Sequence, residues 1–211
     1  SKRWLKVSIP GMVGTFLYTF YLQVNLLMLE VFARQESSVS LFSAAERISC
    51  LMFLISSAGI VFCPLISPAI KSGIKEARCL YKKFLLTLTL IGFFVALILC
   101  IFSKTFIGLF GSQYVPAQSS LIVLVLSFFF DLSAIPSERF LYYGERERLV
   151  IHVILLKIFI NITLNYFLIP SMGALGSALS MLCSSMVSCV LFFSFGYKYV
   201  LGNRNISNEC I

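Results

Sequence analysis

Charge is scarce in this sequence. Only 12% of its 211 residues are Asp, Glu, Lys or Arg, against 59% hydrophobic residues and a mean hydropathy of +0.94. That balance excludes an ordinary soluble globular domain and indicates an integral membrane protein. Acids are the scarcer sign: nine Asp and Glu face seventeen Lys and Arg, for a formal net charge of +8. The excess does not point to nucleic acid, because Lys and Arg sit between apolar runs rather than along an amphipathic or aromatic-interleaved surface. There is one histidine, His152. The seven cysteines (50, 63, 79, 100, 183, 189 and 210) are scattered singly, with no C-x-x-C or Cys/His spacing for a metal or redox pair, so reduced structural thiols are expected. Paired catalytic carboxylates, a Ser/His/Asp set and a phosphate-cradling glycine loop are also missing, which leaves an enzyme without positive support. No cofactor is expected. Residue 1 is Ser and no signal-peptide pattern precedes the first apolar run, so the expectation is a piece of a longer protein.

What the sequence does have is six apolar runs. Each is long enough to cross a hydrocarbon core of ~30 Å as a helix, at about 8–28, 40–64, 84–102, 121–142, 150–169 and 173–195. The expected fold is therefore all-α and integral to the membrane, a single bundle of about six transmembrane helices over 1–211. Between the runs lie a short hydrophilic link from Glu30 to Ser38, a basic loop from Ser67 to Lys83, a nearly neutral link from Ser103 to Ser120, a turn at Gly144 to Arg148 and a tight corner from Pro170 to Gly173. From Tyr197 the chain reads as a polar tail. Pro136 predicts a kink in the fourth span. Thirteen of the seventeen basic residues fall at the N-terminus, in the second-to-third and fourth-to-fifth connections and in the tail, whereas Arg34, Arg47 and Lys104 fall on the other side. That asymmetry predicts cytoplasmic termini. Of two N-x-S/T sequons, Asn161 then falls in the membrane and Asn205 in the cytoplasm, where neither is glycosylated.

The fifth span carries Lys157, Asn161 and Asn165 at i, i+4 and i+8, a polar stripe on an apolar helix. Gly173, Gly176 and Ala178 then open the sixth span, and small residues of this kind let a neighbouring helix approach closely. His152 lies about 140° from the stripe and reads as a boundary residue. Asp131, in the fourth span, matches Lys157 in depth to within about 3 Å at 1.5 Å per residue. An intramembrane charge faces a partner or a wet cavity, so Asp131 and Lys157 are either a structural ion pair or a cavity lining that touches a polar substrate or coupling ion. Asn161 and Asn165 have the same two readings, packing or cavity. The first span is unusually polar, with Thr15, Thr19 and Gln23 on one side and Tyr18, Tyr21 and Asn25 on another. Arg47, near an end of the second span, suits a phosphate oxygen through charge-assisted hydrogen bonds, or else pairs with Glu46 or Glu30 or snorkels.

Three segments carry a family resemblance: LFSAAERI (41–48), FIGLFGSQYVPAQSSLIVL (106–124) and, most specifically, NITLNYFLIPSMGALGSALS (161–180). In order and spacing the chain resembles the second six-helix lobe of the polysaccharide-repeat-unit flippases, in the multidrug/oligosaccharidyl-lipid/polysaccharide exporter superfamily. It departs from that pattern at Asn25, where members commonly have an acid, and at Ser40 and Phe42, ahead of the Ala-Ala pair. The resemblance implies half of a two-lobe exporter fold with the N-terminal lobe absent, in a bacterial cytoplasmic membrane. It implies alternating access that moves a polyprenyl-diphosphate-linked oligosaccharide to the outer leaflet. The sugar head would meet Gln23, Asn25, Asn161 and Asn165, and the lipid tail would stay in the bilayer. The coupling ion, H+ or Na+, is left open, and Asn25 in place of an acid puts cation coupling there in doubt. Competing readings are a cation-coupled drug exporter of the same superfamily, a membrane enzyme acting on lipid-linked glycans, and an inactive truncated half-transporter.

Overall fold

In the computed structural model, residues 2–33 and 37–202 are described, with side chains from 12 to 199 except 57 and 58. Every element among them is helical. Helix α1 spans Lys2–Phe32. The second crossing is built of α2 (Ser37–Ser49), α3 (Leu51–Ala58), a 3-10 turn at Gly59–Phe62 and α4 (Cys63–Ser72). Helix α5 (Ile74–Ile101) is followed by a short α6 (Ser103–Gly108) and a second 3-10 turn, Ser112–Ala117. Helices α7 (Gln118–Tyr143), α8 (Glu147–Met172) and α9 (Ala174–Gly202) complete the described residues. Among the described residues six stretches are long and apolar enough to cross a membrane: Met12–Phe32, Ser37–Ser72, Ile74–Ile101, Ser112–Tyr143, Glu147–Met172 and Ala174–Tyr199.

The connections are tighter than the sequence suggests. Most of the segment expected to be a basic loop, 67–83, is helical, broken only at Gly73, whose φ of 129° needs a residue without a Cβ. The second crossing is interrupted at Cys50 and again at 59–62, the second time just ahead of Pro64 and Pro68. Pro64 sits in the first turn of α4, where a missing N–H costs least, and the 3-10 turn absorbs the mismatch before it. Helix α8 runs through Pro170 to Met172, so the expected four-residue corner shrinks to Gly173 (φ 54°), whose added Cβ would stand 2.9 Å from Ser38 Oγ. Helix α7 likewise continues through Pro136. Of the Glu30 to Ser38 link, residues 34–36, with Arg34, lie outside the described residues. The expected tail from Tyr197 is helical as far as Gly202, while Arg204, Asn205 and Cys210 lie outside the described residues.

Helix α7 is the centre of the bundle and the most buried span. It packs on α9, α5, α2 and α3, while α8 sits between α9 and α1. Small residues set these approaches. A Cβ at Gly92 would strike Leu132, one at Gly196 would stand 2.8 Å from the Ser137 Cβ, and one at Gly176 would strike the Leu168 carbonyl. Buried hydroxyls then tie the helices together, Ser127 to Ser185 at 3.0 Å and Tyr81 to Ser137 at 2.8 Å, which suits an interface where lipid offers no hydrophobic drive for association. The outer faces are apolar, with Phe93 and Phe94 on α5 and Phe159 and Phe167 on α8 exposed, as a hydrocarbon surround requires.

Candidate functional site

A cavity of about 1050 Å³ opens among α1, α3, α4, α7, α8 and α9. Helix α7 supplies one long wall, since Asp131, Ala134, Ile135, Glu138 and Tyr142 recur at three- and four-residue steps and so share a face. From Asp131 to Tyr143 that wall extends about 18 Å at 1.5 Å per residue. Helix α1 faces it with Gly14, Thr15, Tyr18 and Tyr21, the second crossing with Phe53, Ser56, Gly59 and Cys63, and α9 with Ser188 and Phe192. Glu145 and Glu147, at the turn between α7 and α8, mark the end away from Asp131.

Asp131 and Lys157 meet at the deep end. The Lys157 Nζ donates to both carboxylate oxygens, at 2.6 and 2.8 Å, and the two side chains are 13% and 6% exposed. The ammonium also lies 4.1 Å from the centroid of the Tyr21 ring and 5.8 Å from that of Tyr18, within cation–π range. Tyr21 is held in place by its hydroxyl, 3.1 Å from Ser184 Oγ and 3.4 Å from Ser185 Oγ. The pair is therefore both an interhelical ion pair and part of the cavity wall, so the two sequence readings do not exclude each other. With Lys157 engaged by Asp131, the remaining charges on the wall are Glu138, Glu145 and Glu147 against Arg139.

The three asparagines stand elsewhere. Asn25, Asn161 and Asn165 are fully buried and do not line the cavity. The Asn165 Nδ2 donates to Asn25 Oδ1 at 2.9 Å and to Asn161 Oδ1 at 3.2 Å, the Ser177 hydroxyl lies 3.4 Å from Asn25 Oδ1, and Asn25 Nδ2 donates to the Tyr21 carbonyl at 2.8 Å. This amide layer ties α1, α8 and α9 together, and within it Asn161 Nδ2 and Asn165 Oδ1 have no hydrogen-bond partner. Gln23 is exposed on α1 and Arg47 is exposed on α2, and neither lines the cavity. His152 is exposed near the start of α8, where its ring meets the Arg148 carbonyl. Glu138, Arg139, Tyr142 and Tyr143 were not singled out from the sequence as site residues. The signal for Glu138 was its seven-residue spacing from Asp131, two helical turns along one face. Among the described residues no group of three His, Cys, Asp or Glu could hold a metal ion.

No family model matches the chain, and no curated protein matches it. Solved structures do. A MOP superfamily transporter from Pyrococcus furiosus Vc1, described as having a binding pocket of reverse polarity, aligns with a TM-score of 0.72 at 18% identity, over 95% of this chain and 45% of that one. An outward-facing multidrug resistance MATE family transporter of the MOP superfamily aligns with a TM-score of 0.73 at 18% identity, over 96% of this chain and 45% of that one. The fold is half of a MOP transporter fold. The chain spans less than half the length of these structures. At this identity the likeness carries architecture and not substrate.

Proposed function

We propose that the chain is one lobe of a two-lobe membrane exporter, and that the lobe handles the head group of a polyprenyl-diphosphate-linked oligosaccharide during alternating access. The observation that carries this is the cavity wall itself, where Tyr18 and Tyr21 stand beside the Asp131–Lys157 pair and Tyr142 and Tyr143 line the other end. Tyrosine offers sugars an aromatic face and a hydroxyl together. Lys157 can exchange the Asp131 carboxylate for phosphate oxygens without losing charge-assisted bonding. The motifs at 41–48, 106–124 and 161–180 support the same substrate class. Thr15, which lines the cavity, and Thr19 and Gln23 are exposed along α1 as a polar face that lipid would not solvate, and a second six-helix lobe would cover it. On this reading the sequence-predicted Asn25, Asn161 and Asn165 hold helices in register rather than touch sugar, and Arg47 meets substrate only in another conformation.

A second reading is export of an amphipathic cation. It is favoured by Glu138, Glu145 and Glu147 outnumbering Arg139 once Lys157 is paired. Reconstitution with a partner lobe decides between the two. Flipping of a fluorescent lipid-linked oligosaccharide that falls at least about tenfold in Lys157→Met, with Glu138→Gln near wild type, supports the first. Transport of an organic cation that is abolished by Glu138→Gln, with no oligosaccharide movement, overturns it.

A further inference from the structure

The corner between α4 and α5 lies outside the cavity, and its charge is unlike the rest of the surface. Over 71–83 it carries Lys71, Lys75, Arg78, Lys82 and Lys83 against one acid, Glu76. Because both helices persist to Gly73, the direction of these side chains follows from helical periodicity. On α5, Ala77, Tyr81, Phe84 and Leu88 are buried, with the Tyr81 hydroxyl 2.8 Å from Ser137 Oγ and its ring edge-on to Phe140. Lys75 and Lys82, seven residues apart, point to the opposite side, and Lys71, Lys75, Lys82 and Lys83 are all exposed. That same outer face continues as Leu86, Leu90, Phe93 and Leu97, exposed by 61%, 48%, 50% and 43%. The change from ammonium to hydrocarbon takes one helical turn.

We propose that this corner binds anionic phospholipid, with headgroup phosphates on Lys71, Lys75, Lys82 and Lys83 and acyl chains along Leu86, Phe93 and Leu97. A free phosphate would satisfy only the cations, whereas a phospholipid matches the cations and the adjoining apolar face in the order they occur. The site also reaches the cavity mechanically. Helix α4 begins at Cys63 and follows the Gly59–Phe62 turn, and Gly59, Ile60 and Cys63 line the cavity. Lipid held at the corner fixes the end of the second crossing and with it that wall.

The test uses the purified full chain in detergent, with phosphatidylglycerol, phosphatidylcholine or inorganic phosphate added separately, read by native mass spectrometry and by the shift in Tm. Phosphatidylglycerol should be retained in preference to phosphatidylcholine and raise Tm. Replacing Lys71, Lys75, Lys82 and Lys83 together by Gln should abolish the preference, each single change weakening it about fivefold, and added salt should do the same. Lys104→Gln, exposed on α6 just past the other end of α5, should change nothing. If the fourfold Gln variant does not fold, the fourfold Arg variant must keep the preference and Lys75→Gln and Lys82→Gln must each reduce it. Equal retention of both lipids, a preference that survives the Gln changes, or displacement by millimolar inorganic phosphate overturns the proposal. None of these readouts depends on what the cavity carries.

Discussion

Two polar layers stand four residues apart on the same face of α8, and they do different things. Lys157 meets Asp131 and Tyr21 at a cavity wall. Asn161 and Asn165 meet Asn25 in a sealed contact. A step of four residues moves about 6 Å along a helix, so the stripe is one feature in sequence and two in space. What separates them is the approach of α9. Gly176, Ser177 and Ala178 let α9 close against α8 and α1 at the amide layer, whereas Ser188 and Phe192, three to four turns further along α9, line an open space. Closely spaced small residues seal one end of the stripe, and the other end opens onto the cavity.

The largest effect should come from breaking the charged layer. Lys157→Met leaves the Asp131 carboxylate without its cation in a site of low polarity, and should cost about 3–5 kcal/mol in detergent thermal unfolding. Asp131→Asn should be comparably severe. The double change should recover a large part of the loss, because removing both charges also removes the desolvation penalty. Two independent, additive losses would mean that the pair is not one unit. At the sealed end, Gly176→Ala drives a Cβ into the Leu168 carbonyl, which is backbone and cannot step aside. About 1–3 kcal/mol is expected there, together with faster hydrogen exchange of the α8–α9 corner. An unchanged Tm would show that close approach is not what closes the amide layer.

Much of this was legible in the sequence, and the rest was not for identifiable reasons. Run length and hydropathy are local properties, so six crossings could be read directly. The matching depth of Asp131 and Lys157 could be read because both ends of each span were marked by turns, while the choice between pairing and cavity lining could not. Gly73 was harder. A cluster of lysines reads as a loop, yet long cationic side chains sit comfortably on a helix that emerges into headgroups. Whether Asn161 and Asn165 face a cavity or a neighbour depends on where α9 crosses α8, a tertiary fact that periodicity along α8 does not contain. Glu138 and Tyr142 gain their position only when α1 and the second crossing stand opposite α7.

Smaller effects test the amide layer itself. Asn165→Leu removes the donor that bridges Asn25 and Asn161, and should lower stability by about 1 kcal/mol, since interhelical hydrogen bonds in membranes are modest. Tyr21→Phe should cost less than that. It loses the Ser184 and Ser185 contacts but keeps the ring beneath Lys157, so the ion pair and its unfolding behaviour should persist.

Asn161→Leu gives the smallest and most discriminating outcome. Asn161 Oδ1 accepts one 3.2 Å bond while its Nδ2 has no partner, so an apolar side chain of the same branching removes a weak contact and an unsatisfied donor together. The two terms offset, and a change within about 0.5 kcal/mol is expected. Stability is thereby held fixed while the amide is deleted, which isolates any role in transport. On the packing assignment, reconstituted transport by the Asn161→Leu lobe matches wild type. A tenfold fall in transport at unchanged Tm would move the residue from the sealed layer to the substrate path, and would mean that α9 withdraws from α8 during the cycle far enough to join the two layers into one.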